Sequence, residues 1–239
     1  MPRDDATETF VRRSGEKVEA ERKRVLATNR EHFYDGLDEC REGECLSGMW
    51  TADALLDWGR TFGAQAAFIN GGALRAPLPI GPVTHADILD VHPFGNHAAV
   101  VAMPGRVILA ALEHGLSEPD LKSPRLLQTS GLRYRVNPKR PIGSRVASAD
   151  ILENGQWVPI EPQKTYRIVT TAYLLDGGDQ FRMLKALPAA LARGPLEAEL
   201  LERFLEARRD AAGNLPLPET GRILGMPFRD DLQSKQRKF

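Results

Sequence analysis

The 239 residues suffice for one large domain with a sizeable core, and 42% hydrophobic with 27% charged residues is an ordinary balance for a globular protein. The 32 basic and 32 acidic residues cancel, so no global field steers the chain toward nucleic acid or an anionic membrane, and neither is expected as a partner. No apolar run is long enough to span a bilayer, and "MPRDDATETFVRRSGEK" lacks the apolar core of a secretory signal, so the chain as written is expected in the cytoplasm.

Residues 1–27 read as a charged lead-in or linker, with a helix over "EKVEAERKRVLA". The folded domain is expected over 28–228 and a polar tail over 229–239. Cys40 and Cys45 stand close together in "ECREGEC". Two reduced thiols are the expectation in a cytosolic protein, and a local disulfide is the alternative that export would favour. Without neighbouring histidines the pair makes a poor zinc site.

The apolar spacing Leu46, Met49, Trp50, Ala54, Leu55, Trp58 predicts a helix, with Gly59 and Gly63 available to end it. "AAFIN" reads as a buried strand entering the glycine-rich turn "NGGALRAPLPIGP". Thr84 is placed to cap a helix over "THADILDVHPFG", with Asp87 in its first turn. A short strand, "HAAVVAMP", and an amphipathic helix burying Val107, Ile108, Ala111 and Leu112 follow. Beyond residue 125 strands take over: "GLRYRVN" alternates, and Asn154-Gly155 is a preferred two-residue hairpin turn. "TYRIVTTAYLL" is a further strand ending in "DGGDQF", and a last helix aligns Leu196, Leu200, Leu201, Phe204 and Leu205. The pattern predicts a mixed α/β (α+β) domain, a mixed sheet with flanking helices.

"HPFGNH" at 92–97 reads two ways. Gly95-Asn96-His97 resembles part of the Gly-Asn-His-Glu box with which metallophosphatases hold two metal ions, and the same turn could instead present Phe94 to a flat ligand. A two-metal site needs about half a dozen convergent Asp, His and Asn ligands. The histidines are His32, His85, His92, His97 and His114, and Ala98 stands where the box has an acid. The metal reading fails, and an aromatic turn is left.

In order, "CREGECLSGMWTADAL", "INGGALRA", "VTHADILDVHPFGN", "LLQTSGLRYRVNP" and "YRIVTTAYLLDGGDQF" resemble the C-terminal domain of the 5'-nucleotidase / UDP-sugar hydrolase family, from about Val25 to Leu224. That resemblance implies a single 5'-nucleotidase C-terminal-like domain that binds the nucleoside of a nucleotide. In the family a separate N-terminal metallophosphatase domain holds two divalent metals and hydrolyses the ester. It implies that Phe94 and Tyr173 sandwich the base, Tyr173 standing where the family usually has Phe. Asp179 would accept from the ribose hydroxyls, and Arg41, Asn70 and Arg75 would face the phosphates and sugar. Asn96 would reach the base edge, and Gly131 would lie where backbone approaches the ligand.

No metal ligands or catalytic residues are expected in these 239 residues, so the chain is expected to be inactive alone and to act with a separate metallophosphatase chain or domain. The alternative is a stand-alone nucleotide-binding or interaction module. If the chain is a fragment of a full-length family member, a periplasmic or extracellular location is expected instead.

Overall fold

A computed structural model describes residues 5–31, 37–118 and 120–226. His32 and the expected tail over 229–239 lie outside the described residues. The elements run α1 (Asp5–Arg22), β1 (Val25–Asn29), α2 (Glu39–Glu42), α3 (Leu46–Arg60), β2 (Ala66–Asn70), β3 (Gly81–Thr84), α4 (His85–Val91), β4 (His97–Pro104) and α5 (Gly105–Gly115). They continue β5 (Leu127–Ser130), β6 (Leu132–Val136), β7 (Val146–Glu153), β8 (Gln156–Pro159), β9 (Thr165–Thr171), α6 (Ala172–Leu175), α7 (Arg182–Lys185), β10 (Ala192–Leu196), α8 (Glu197–Arg208) and β11 (Ile223–Leu224).

A five-stranded mixed sheet, ordered β10-β4-β9-β2-β5, forms the centre, flanked by a four-stranded sheet (β11-β6-β7-β8) and the pair β1-β3. Both faces of the central sheet are covered, which explains why β2 is buried at every position. Phe68, Val101, Met103 and Ile168 point to a core shared with α5 and the four-stranded sheet. Their strand neighbours Ala67, Ile69, Val100 and Val169 point to the opposite layer, with Leu55 of α3 and Leu200 of α8. A strand buried on both faces reads as a continuous apolar run, as "AAFIN" does.

Several local expectations hold for the stated reasons. Thr84 and Asp87 form a reciprocal capping box at α4. Asn154 and Gly155 both take positive φ, 51° and 77°, as a tight β7–β8 turn requires. Others change. The N-terminal helix stops at Arg22, and Val25–Asn29 is a strand with Leu26 and Ala27 buried. The helix over 46–60 runs through Gly59 to Arg60. The strand read through "TYRIVTTAYLL" ends at Thr171, whose hydroxyl caps the helical turn carrying Tyr173. β3, β5 and β10 carry no readable alternation: β5 is buried throughout, and β10 is an edge strand containing Pro195. Among the described residues no helix is long and apolar enough to cross a membrane.

Candidate functional site

The sheet register brings three chain segments to one edge. β2 and β9 are parallel, so Asn70 and the turn after Thr171 leave the sheet on the same side. β4 runs antiparallel to β9 with Ala98 opposite Thr171, so the turn preceding β4, with Phe94 and Asn96, emerges there too. A cavity of about 340 Å³ opens at this edge. Asn70, Arg75, Phe94, Asn96, Tyr173 and Asp179 line it, and Arg41 of α2 closes one wall.

Asp179 is the carboxylate of this pocket, and it is tightly held. Its Oδ2 accepts from Asn70 Nδ2 at 2.7 Å and its Oδ1 from the Tyr173 hydroxyl at 2.8 Å. The backbone N–H of Asp179 donates back to the same hydroxyl at 3.1 Å. Its carbonyl lies 2.9 Å from His114 Nε2, and the His114 ring stands edge-on to Phe181 at 4.6 Å. Asp179 occupies the left-handed region (φ 48°, ψ 28°), where aspartate is among the better-tolerated side chains, and these bonds hold it there. Burial, and then the bond to Asp179, push the Tyr173 phenol above its ordinary value, so the hydroxyl stays protonated throughout the neutral range.

Phe94 and Tyr173 are 57% and 41% exposed, large apolar surfaces left open at the mouth of one cavity. The Tyr173 ring lies on Gly178: a Cβ there would sit 2.4–2.5 Å from three ring atoms, so only glycine lets the ring settle in this position. The Arg75 guanidinium carbon is 5.8 Å from the Phe94 ring centre. Arg41 Nε and Asn70 Oδ1 are buried without a hydrogen-bond partner. Such groups are costly unless a ligand or water completes them. The pocket therefore offers two ring surfaces and two guanidiniums against one carboxylate. That combination suits a flat, hydroxylated, anionic molecule.

Arg41 is carried by a pinned loop. Cys40 and Cys45 are joined as a disulfide, so the expected reduced thiols give way to the bonded alternative. The buried Gln128 amide donates to the carbonyls of Cys40 (3.0 Å) and Gly43 (2.7 Å) and accepts from Cys45 N–H (3.2 Å). Glu44 accepts from the N–H groups of Gly221 and Arg222, both at 2.8 Å, tying the loop to the entry of β11. Reduction should lower the unfolding free energy by about 2 kcal/mol, from the loop-closure entropy of so short a ring. Urea denaturation with and without reductant measures this, and an unchanged midpoint would mean that Gln128 and Glu44 hold the loop unaided.

Gly131 does not join the pocket. It lines a separate, open cleft of about 790 Å³ between the β7–β8 hairpin, α3 and residues 216–222. Its glycine character has a local cause: φ is 66°, and a Cβ would lie 2.4 Å from the Gln65 carbonyl. Several charges lining the larger cleft already have partners, including Arg222 with Asp53 (2.8 Å) and Lys164 with Glu153 (2.7 Å). Asn96 lines the smaller pocket, but its amide also donates to the buried Glu197 carboxylate at 3.2 Å. His97 Nδ1 sits 2.9 Å from the Gly194 carbonyl at the sheet edge. His114, Gln128 and Gly178 were not singled out by sequence reading. Gly178 lies inside the quoted "DGGDQF", whereas a lone histidine on an amphipathic helix carries no signal.

Residues 25–186 match the family model described as "5'-nucleotidase, C-terminal domain". The chain belongs to this family. An apyrase from Aedes albopictus is 33% identical over 175 residues, which are 71% of this chain and 31% of the apyrase. A 5'-nucleotidase precursor from Thermus thermophilus is 31% identical with TM-score 0.80, covering 95% of this chain and 44% of that one. The NAD nucleotidase of Haemophilus influenzae, at 18% identity and TM-score 0.74, shares the fold over 92% of this chain and 41% of its own. This 5'-nucleotidase C-terminal domain protein thus spans about a third of the curated relatives it matches.

Proposed function

We propose that the chain is the nucleotide-binding part of a 5'-nucleotidase-type phosphohydrolase acting in nucleotide breakdown. Phe94 and Tyr173 hold the base, Asp179 and Asn70 the ribose, and Arg41 and Arg75 the phosphate end. The observation that carries this reading is the convergence of those six residues on one cavity. Stacking on ring faces is sequence-tolerant, so purine and pyrimidine nucleotides should both bind. Two guanidiniums favour a nucleotide over its nucleoside through charge-assisted hydrogen bonds.

Hydrolysis is assigned to a metallophosphatase unit, joined to this domain or present as another chain, which would hold two divalent metals. The pocket's own residues do not fit such a pair of ions, because Asp179 is the one carboxylate among its described lining residues and guanidiniums do not ligate cations. Glu21, His85 and Glu202 also cluster elsewhere, but Arg24 already donates hydrogen bonds to both acids. The Cys40–Cys45 bond supports an oxidising compartment outside the cytoplasm.

Calorimetric titration with adenosine, AMP and UMP tests the reading. Saturable binding of all three, tightest for the nucleotides, is expected. No heat at millimolar ligand contradicts it.

A further inference from the structure

Resting on that nucleoside reading, we propose that the Tyr173 hydroxyl is a positioning group that sets Asp179 for a vicinal diol. The pocket would then select ribonucleosides over 2'-deoxyribonucleosides through the same residue that stacks on the base. The hydroxyl engages Asp179 twice, donating to Oδ1 at 2.8 Å and accepting from the backbone N–H at 3.1 Å. Asn70 holds the other carboxylate oxygen at 2.7 Å. Each carboxylate oxygen has two acceptor directions, so one protein donor on each fixes the plane and leaves one direction free per oxygen. Two acceptors at carboxylate spacing receive two adjacent hydroxyls. A 2'-deoxyribose fills only one of them.

Asn70 is buried to 2% exposure and fixed at the end of β2. Tyr173 is the adjustable holder, seated by its ring on Gly178 and reaching Asp179 only through the hydroxyl. Phenylalanine at 173 keeps the ring but releases Oδ1 and leaves the Asp179 N–H without this partner, on a residue already in left-handed backbone (φ 48°). Carboxylate orientation is then lost while stacking remains. The opposite possibility is that the hydroxyl competes with the sugar for Oδ1, which predicts the opposite sign.

The experiment titrates adenosine and 2'-deoxyadenosine into the parent chain, Tyr173→Phe, Asp179→Ala and the double variant, with melting curves to show each is folded. The parent should prefer adenosine. Tyr173→Phe should weaken adenosine roughly tenfold, the size of one hydrogen bond to a charged acceptor, and move 2'-deoxyadenosine by less than about twofold. In the Asp179→Ala background it should have no further effect, because the hydroxyl acts through that carboxylate. Equal weakening of both nucleosides, or tighter adenosine binding, overturns the positioning role and leaves the nucleoside reading intact. A parent chain that binds neither nucleoside overturns both.

Discussion

Replacing Phe94 with alanine should weaken nucleoside binding by roughly one to two orders of magnitude while moving the thermal midpoint by no more than about 2 °C. The two halves of that expectation have separate causes. Phe94 is 57% exposed at the tip of a turn, so its removal leaves no cavity in the core. The turn is fixed from behind instead. His92, 2% exposed, lies 2.9 Å from the Thr51 hydroxyl, and Glu197 N–H donates to the Asn96 carbonyl at 2.9 Å. With the backbone held, the ring projects into the pocket, where stacking a base contributes roughly 1–3 kcal/mol. Phe94→Trp retains a ring face and should retain most of the affinity. Calorimetry and scanning calorimetry on the three proteins separate the effects; a large loss of stability in Phe94→Ala would make the ring a structural element.

Gly71→Ala should damage both fold and pocket. A Cβ at this position would lie 2.1 Å from the Cys40 carbonyl oxygen and 2.9 Å from its carbon, a clash with backbone rather than with a yielding side chain. Neither side can retreat easily. Gly71 N–H donates to the Leu126 carbonyl at 2.7 Å, and the opposing loop is fastened by its disulfide and by Gln128. Relief must come from moving the loop or the turn, at a cost of about 2–3 kcal/mol by comparison with overpacked cores. Because Arg41 adjoins Cys40 and Asn70 adjoins Gly71, that movement displaces two lining residues at once. Urea denaturation and adenosine titration of the variant should show both losses. Gly15→Ala is the control: nothing lies within 4 Å of its Cβ, and helix propensity predicts a slight gain in stability.

Chain order and turn chemistry carried much of this in the sequence. The "NGG", "HPFGN" and "DGGDQF" turns follow strands or precede them, and the parallel and antiparallel pairing of β2, β9 and β4 sends all three to one sheet edge. Gly131 fell outside because a glycine between strands reads the same whether it faces a ligand or, as here, the Gln65 backbone. The bond from Tyr173 to Asp179 was not legible, since the run before it looked like continuous strand. It is the cap at Thr171 that turns the chain and places the hydroxyl within reach. Gln128 was invisible for another reason: its three hydrogen bonds go to a loop more than 80 residues earlier, and no local pattern announces a long-range polar anchor.

The most direct measurement is a crystal structure of the chain grown with saturating adenosine. The base should lie against the Phe94 and Tyr173 rings in the cavity of about 340 Å³, with the ribose hydroxyls at hydrogen-bond distance, about 3 Å, from Asp179. Adenosine bound instead in the larger cleft beside Trp157, or absent from both cavities, would contradict the proposed function.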